Sequence, residues 1–235
     1  MKMIISCLLF AMAPAAWSKN LAIGPYVGHQ NSKAHAKGYT LSGDRVIEDN
    51  SPGGVFSVDP NYNESFNDSS TTFSNSSVQG VRLNYDLGLV TLRSDLSLAR
   101  YYSPESREDK VNLGLGVQYA FLTLADFKFY GFTGLGLSRN QVTFKAVEAA
   151  DSEKNDPYML LNYDLGLGSS LALTDLIALT VDYKYSDALT HGTAKYRSRN
   201  AAIINSQPYN LNSEYKVKHL SETTQELTLG VMFSL

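Results

Sequence analysis

Nucleophilic catalysis needs a base beside a hydroxyl or thiol, and a further group that orients the base. In this 235-residue sequence, His219-Leu220-Ser221 comes nearest to that requirement. His219 and Ser221 fall on the same side of an alternating pattern, whereas Glu222 falls on the other side and Glu214 lies in a predicted loop. No carboxylate is therefore fixed beside the histidine, and we predict no catalytic residues and no enzymatic activity.

The sequence supports metal or redox chemistry as little as it supports nucleophilic catalysis. His29 and His35 are lone histidines without a carboxylate partner fixed nearby, and two such ligands do not predict a metal site. Cys7 is the only cysteine, so the rest of the chain can form neither a disulfide nor a thiolate site. We predict no metal and no cofactor.

A larger set of residues offers charge instead of a nucleophile. Acidic and basic side chains share one side of the alternating pattern, at Arg82, Asp86, Arg93, Asp95, Asp164, Asp182, Lys184 and Glu226. If that side faces a dry interior, these charges should form a paired network, because an unpaired buried charge is costly. We expect the network to be a structural plug, and a narrow ion path is the alternative.

The elements that position these charges are β-strands. Apolar residues recur at every second position, with small or polar residues between them, and this period of two is typical of strands with one apolar face. Eight segments have the pattern, at about 21–32, 78–88, 91–103, 109–122, 126–142, 158–172, 175–188 and 219–235.

The connectors between these segments alternate in length. After the second, fourth and sixth segments only a few residues remain, whereas the other connectors are polar and variable, and two of them are long. Long loops at one end and tight turns at the other are typical of a transmembrane β-barrel. The sequence predicts an all-β, eight-stranded antiparallel transmembrane barrel with long outer loops and short periplasmic turns.

A water-soluble sandwich or barrel is the alternative, but its apolar side would have to point inward. A small barrel has little room for so many Leu and Tyr side chains. Aromatic residues also cluster near the segment ends, as in the two aromatic girdles of a membrane barrel. They are Tyr101, Tyr102, Tyr119, Phe121, Phe127, Phe129, Tyr183, Tyr185 and Phe233.

The heptapeptide LNYDLGL occurs twice, at 83–89 and 161–167. The copies fall on the second and sixth predicted strands, which lie opposite each other in an eight-stranded barrel. Convergence on a favourable strand sequence explains the repeat better than an internal duplication does. Neither explanation makes it a catalytic motif.

The N-terminus has the pattern of a secretory signal peptide. Lys2 precedes an apolar run from Met3 to Met12, and Ala16-Trp17-Ser18 places small residues where the cleaving peptidase requires them. We predict a signal peptide at 1–18 and a barrel domain at 19–235, with cleavage after Ala15 as the alternative. The formal charge of −3 gives no reason to expect a nucleic-acid partner.

The C-terminal sequence TLGVMFSL resembles the assembly signal of the last barrel strand in the small outer-membrane β-barrel family of Gram-negative bacteria. That family includes the transmembrane domain of outer membrane protein A. The matching positions are Thr228, Gly230, Phe233 and Leu235, although an aromatic residue is more usual than Leu235 at the end. The resemblance implies an outer-membrane location and recognition by the outer-membrane assembly machinery.

The two long connectors contain most of the features that are specific to this chain. The first, about 33–77, is rich in Asn, Ser and Asp, and we expect it to be solvated and mobile. The fourth, about 189–218, contains KYRSR, whose spacing suggests a strand that extends above the membrane. Lys195, Arg197 and Arg199 would then share a face and could contact lipopolysaccharide phosphates. A solvated loop, or pairing with the acidic first loop, is the alternative.

The sequence thus predicts a monomeric, non-enzymatic outer-membrane barrel with an envelope or surface-interaction role. Its expected partners are outer-membrane lipid, lipopolysaccharide, the assembly machinery and an unidentified ligand of the loops. A narrow pore for ions or small solutes is the alternative. A further alternative is a lipid A-modifying hydrolase, because His219-Leu220-Ser221 resembles the His-x-Ser element of outer-membrane lipid A deacylases.

Overall fold

The computed structural model describes residues 20–36, 39–48, 56–66, 69–102, 106–144, 156–204 and 207–235. The predicted signal peptide at 1–18 lies outside these residues and stays a prediction. The described residues include no helix that is both long and apolar enough to cross a membrane.

Eleven β-strands make up the regular structure of the described residues. They are β1 (Leu21–Ala36), β2 (Tyr39–Glu48), β3 (Phe56–Phe66), β4 (Ser69–Asp86), β5 (Thr91–Tyr102), β6 (Ser106–Leu124), β7 (Phe127–Phe144), β8 (Tyr158–Ala172), β9 (Ile177–Ala188), β10 (Gly192–Ile204) and β11 (Gln207–Ser234).

Eight of these strands form a closed antiparallel barrel in the order β1-β4-β5-β6-β7-β8-β9-β11. The barrel closes where β11 pairs with β1, from Ala22 opposite Ser234 to His35 opposite Ser221. Closure leaves no free edge among the eight strands, and a free edge would be costly in lipid. The predicted eight-stranded transmembrane barrel is confirmed, with short turns at 87–90, 125–126 and 173–176. We call this end of the barrel the turn end and the other the loop end.

Side chains alternate between the outside and the lumen along each barrel strand. On β11, Leu227 and Leu229 are 53% and 60% exposed, whereas Glu226 and Thr228 between them are buried. The outward apolar side chains form an apolar band around the barrel, which on β6 runs from Val111 to Phe121. A water-soluble barrel would require the opposite arrangement.

Most of the predicted girdle aromatics lie on the outer surface, including Tyr102, Tyr119 and Phe121. Tyr101 was wrongly assigned to this set. It follows an outward-facing Arg100, so alternation directs its side chain into the lumen, where it is fully buried against Tyr26 and Val78. A pair of adjacent tyrosines cannot place both rings on the same face of a strand.

The first long connector differs from the expectation of a mobile loop. It contains β2 and β3, which pair with each other, and it lengthens β1 and β4 beyond their predicted ends. Strand β10 pairs with the first half of β11, as the KYRSR spacing suggested, and β2 pairs with the same half of β11. The resulting four-stranded sheet, β10-β11-β2-β3, continues the barrel wall beyond the loop end, and we call it the outer sheet.

The apolar band predicts a clear difference between two Leu→Lys substitutions. Leu229 lies in the middle of the band on β11, so Leu229→Lys should lower the free energy of unfolding in lipid vesicles by about 2–4 kcal/mol. Leu89, 84% exposed in the turn at 87–90, is the matched control, and Leu89→Lys should leave stability nearly unchanged. Urea titration of the refolded proteins measures both. Equal losses for the two variants would contradict the assignment of the outer face to lipid.

Candidate functional site

The lumen near the turn end holds a compact network of two arginines and two aspartates. Arg82 and Asp95 are direct cross-strand partners on β4 and β5, and Arg82 Nε lies 2.8 Å from Asp95 Oδ1. Arg93 Nε lies 2.7 Å from Asp95 Oδ2, and Arg93 Nη2 lies 3.5 Å from Asp182 Oδ2. Arg82 Nη1 also contacts Asp182 Oδ2. Each carboxylate therefore touches both guanidinium groups, and the four charges cancel.

We call these four residues (Arg82, Arg93, Asp95 and Asp182) the lower network. Aromatic rings enclose it. The guanidinium of Arg82 lies 4.9 Å from the ring centroid of Tyr26, and that of Arg93 lies 3.8 Å from the centroid of Phe132. The Tyr130 hydroxyl donates a hydrogen bond to Asp182 Oδ1 at 2.7 Å. A side chain at Gly168 would overlap Asp182 and the Tyr130 ring, so the glycine of β8 leaves the space that the network fills.

A second ion pair lies on the lumen wall in the middle of the barrel. Lys184 on β9 is the cross-strand partner of Glu226 on β11, and its Nζ lies 3.0 Å from Glu226 Oε2. Beside this pair, Ser186 donates a 2.5 Å hydrogen bond to Asp164 Oδ1. The middle layer also contains a polar cavity of about 10 Å³, lined in part by Gln30, Asn112 and Lys184, which has room for roughly one water molecule.

The sequence analysis missed a cluster of buried polar side chains near the loop end. We call it the upper cluster (Ser32, Glu108, Lys110, Tyr158 and Glu222). Lys110 Nζ lies 2.9 Å from Glu222 Oε2, and Ser32 donates a 2.5 Å hydrogen bond to Glu222 Oε1. The Tyr158 hydroxyl donates to Glu108 Oε1 at 2.8 Å. Glu108 and Lys110 have the inward parity of Asn112. Lys110 lies within the predicted segment 109–122 and was overlooked there, whereas Glu108 lies one residue before its start. The sequence analysis gave Glu222 the parity opposite to that of His219. The parity of Glu222 is the one that faces the lumen.

Glu108 lies above the membrane-spanning part of β6, because its outward-facing neighbours Arg107 and Asp109 lie beyond the apolar band. It is completely buried. Burial, and after it the negative charge of Glu222, raise the pKa of the Glu108 carboxyl to about 8. Glu108 therefore holds a proton at neutral pH, and Lys110 needs to balance only Glu222.

Seven of the eight charges predicted for the lumen are buried there: Arg82, Arg93, Asp95, Asp164, Asp182, Lys184 and Glu226. Asp86 was wrongly included. It is exposed at the end of β4, where its Oδ1 accepts a 2.7 Å hydrogen bond from the backbone N–H of Gly88. Gly88 has a φ of +92°, which favours glycine, and Asp86 stabilises this turn instead of joining the network.

The residues of the predicted assembly signal lie at the C-terminal end of β11 and directly after it. Thr228 faces the lumen, whereas Phe233 is 42% exposed on the outer face. Gly230 lies close to Thr180 and Tyr26, and the backbone N–H of Leu235 donates to the carbonyl of Leu21 at 2.8 Å. The last residue thus fastens the C-terminus to the first strand.

The predicted lipopolysaccharide contacts all lie on β10 of the outer sheet. Lys195 is half-buried and lies opposite Lys216 in the β10–β11 register, and Arg197 lies opposite Glu214. The side chains of Arg197 and Arg199 lie outside the described residues.

His219 and Ser221 both face outward near the loop end, and Glu222 faces the lumen. The His219 ring contacts the His191 ring edge-on, with centroids 5.6 Å apart. Ser221 lies opposite His35 in the β11–β1 register, but no hydrogen bond joins Ser221 to a histidine in the described part of the chain. Within that part there is also no group of three or more His, Cys, Asp or Glu residues suited to a metal ion.

Comparison with known families identifies the barrel. The family described as the outer membrane protein beta-barrel domain matches residues 3–216, which is most of the chain. The chain belongs to this family. Its location is accordingly the outer membrane, the loop end faces the cell exterior and the turn end faces the periplasm.

Solved structures of outer-membrane barrels are similar to this chain in fold. Neisserial surface protein A has 18% identity and a TM-score of 0.48, over 91% of this chain and 99% of that protein. OprG of Pseudomonas aeruginosa has 11% identity and a TM-score of 0.44, over 90% and 97%. Ail of Yersinia pestis has 12% identity and a TM-score of 0.37, over 90% and 98%. No curated protein matches the sequence.

The lower network predicts an unequal cost for two arginine substitutions on β5. Arg93→Ala should lower the free energy of unfolding by about 3 kcal/mol, near the low end for breaking a buried ion pair, because Arg82 still contacts Asp95. Arg100→Ala is the control, because Arg100 also pairs with an aspartate but lies on the exposed face. Its effect should be much smaller. Similar losses for both variants in detergent unfolding would show that water screens the lumen.

The upper cluster predicts a pH dependence of stability. Because the pKa of Glu108 rises on folding from 4.5 to about 8, the native state binds more protons between these values, and Glu108 destabilises the fold progressively as pH rises through this range. Glu108→Gln, which mimics the protonated acid, should therefore gain stability relative to the wild type from pH 5 to pH 8. Tyr158→Phe should shift the range upward, because the Tyr158 hydrogen bond lowers the pKa of Glu108. A stability difference between wild type and Glu108→Gln that is constant with pH would contradict this assignment.

Proposed function

We propose that this protein is a closed, non-enzymatic outer-membrane barrel whose role is to hold the outer sheet at the cell surface for interaction with a partner outside the cell. The observation that carries the proposal is the filled lumen. Three layers of buried, paired side chains occupy it from the turn end to the loop end. A barrel that is filled in this way serves as a support for what it carries outside the membrane.

The chemistry of the layers supports closure. The lower network joins three strands through four contacts between guanidinium and carboxylate groups. An ion entering this layer would have to separate arginine from aspartate, and breaking a buried pair costs several kcal/mol. Beside the upper cluster, apolar Leu160, Ala194 and Leu220 pack with Tyr158, and this packing also excludes water.

The length of the strands supports display. A transmembrane strand needs about 9–11 residues, whereas β11 has 28. The excess residues of β11 pair with β10 and β2, so they form the centre of the outer sheet. Paired backbone gives this sheet a defined surface, which suits recognition better than an unstructured loop does. The partner that it would recognise is unidentified.

A narrow pore is the second candidate, and the polar cavity of the middle layer is the observation that favours it. Lys184 and Glu226 lie on its wall, together with Lys110 of the upper cluster. Rearrangement of these side chains would join the cavity to the upper cluster. The lower network would then be the remaining barrier to ions.

The other expected partners remain proposals. The C-terminal residues Thr228, Gly230, Phe233 and Leu235 fit recognition by the outer-membrane assembly machinery. Lys195, Arg197 and Arg199 on β10 fit contact with lipopolysaccharide phosphates, and the protein is proposed to act as a monomer. A lipid A-modifying hydrolase has little support, because no histidine is hydrogen-bonded to Ser221 in the described part of the chain and the outward-facing Asp187 accepts its hydrogen bond from Thr223.

Planar-bilayer recording of the refolded protein tests the closed lumen. The wild type should be nearly non-conducting. A fourfold variant, Lys110→Ala, Lys184→Ala, Glu222→Ala and Glu226→Ala, removes two cations and two anions, and its conductance should rise because two of the three layers are lost. A large, steady conductance of the wild type would overturn the plug and favour the pore.

Removal of β2 and β3 tests the role of the outer sheet separately from the role of the lumen. Ala36 and Ser69 are cross-strand partners, so a short turn can replace the residues between them. This truncated barrel should refold and stay closed, because the plug lies within the barrel. Bacteria that display it should lose any binding to extracellular polysaccharides or proteins that the full-length form confers. Unchanged binding would place the interaction outside this half of the outer sheet.

A further inference from the structure

The outer rim of the barrel carries an unbalanced group of arginines on β5, β6 and β7. Arg100 Nε lies 2.5 Å from Asp109 Oδ1, and Arg107 Nη2 lies 3.0 Å from Asp109 Oδ2. All three side chains face outward and are between 36% and 52% exposed. One carboxylate thus serves two guanidinium groups, and both of its oxygens are occupied.

Arg139 adds a third guanidinium to this group, one step deeper. It lies opposite Val111 in the β6–β7 register and opposite Met159 in the β7–β8 register. Val111 and Met159 are both exposed members of the apolar band. Arg139 is itself exposed, and it forms no ion pair or hydrogen bond within the described part of the chain. An arginine with no partner among the described residues is therefore placed beside side chains that face lipid.

The other side of the barrel has no such group. The outward-facing rim positions of β9 and β11 next to the apolar band carry Asp187, Thr223 and Gln225. Thr223 donates a 2.7 Å hydrogen bond to Asp187. These described positions of β9 and β11 hold no lysine or arginine, and the adjacent β1 contributes Lys33, which is exposed opposite Thr223. Three guanidinium groups share one sector of the rim on β5, β6 and β7, which we call the arginine sector (Arg100, Arg107 and Arg139).

The geometry points to the arginine sector as a binding site for a phosphorylated glycolipid of the outer leaflet. Guanidinium groups bind phosphate oxygens in pairs of parallel hydrogen bonds, and the arginine sector holds three of them, of which two pair with Asp109. A phosphate at the height of Arg139 would give that arginine the anionic partner that it lacks among the described residues. The acyl chains of the same molecule would then lie on Leu98, Val111 and Leu137, which are exposed beside and below Arg139.

A lipid, as opposed to free phosphate, fits the position of Arg139. Its cross-strand neighbours are apolar, so a ligand that reaches it must be amphiphilic to cover both the charge and the surface around it. A guanidinium at the edge of hydrocarbon also stretches toward the headgroup region. The site is separate from the lumen and from β10, and it does not depend on the proposed function.

Native mass spectrometry of the refolded protein with defined lipids tests this site. The probes are lipid A with two phosphates, the same lipid after removal of both phosphates, and inorganic phosphate. The wild type should retain the bisphosphorylated lipid, and Arg139→Gln should bind it about tenfold more weakly, because a hydrogen-bonded charge pair is lost. Arg139→Lys should recover part of the binding, because it keeps the charge and loses the forked geometry.

Two matched variants serve as controls. Lys128→Gln removes one exposed charge from the other end of β7 and should bind like the wild type. The triple variant Lys195→Gln, Arg197→Gln and Arg199→Gln removes the cations of β10 and should also retain the lipid. Equal binding of the dephosphorylated lipid, equal binding by Arg139→Gln, loss of binding only in the triple variant, or displacement by millimolar inorganic phosphate would each overturn the assignment.

Discussion

The structure depends on one constraint, which is that no backbone N–H or C=O group can be left unpaired inside the bilayer. The ladder between β1 and β11 meets that constraint by closing the sheet on itself. Once eight strands are closed, alternation sends every second side chain into a narrow lumen. Outward positions must be apolar, and inward positions must fill a space with little room for water.

The lumen is consequently filled by charged side chains that are paired or hydrogen-bonded. The described lumen contains four buried cations (Arg82, Arg93, Lys110 and Lys184) and six buried carboxylates (Asp95, Glu108, Asp164, Asp182, Glu222 and Glu226). The lower network is balanced, so the excess acid lies in the middle and upper layers. Hydrogen bonds from Ser186 to Asp164 and from Tyr158 to Glu108 meet part of that excess, and the proton on Glu108 meets another part.

Much of this arrangement could be predicted from the sequence, because a period of two fixes which side of a strand each residue takes. The eight barrel strands and seven of the eight lumen charges followed from that period alone. The errors arose where the period stops being informative. Asp86 has inward parity, but the chain is already turning there. Tyr101 was judged by its residue type without its parity. The strands of the first connector were missed because polar residues such as Ser and Thr can pair through their backbone without an apolar face.

The length of β11 has a mechanical consequence. One continuous strand runs from the outer sheet, through the closing seam of the barrel, to Ser234 beside the periplasm, with a bulge near His219 where the outer sheet meets the barrel. Its upper half is hydrogen-bonded to β10 and β2, and its lower half to β9 and β1. Tension applied to the outer sheet is therefore carried along covalent backbone into a seam whose hydrogen bonds are loaded in shear, many at once. Such a seam resists pulling far better than one whose hydrogen bonds open one at a time. The strand that completes the barrel therefore also anchors the outer sheet to it.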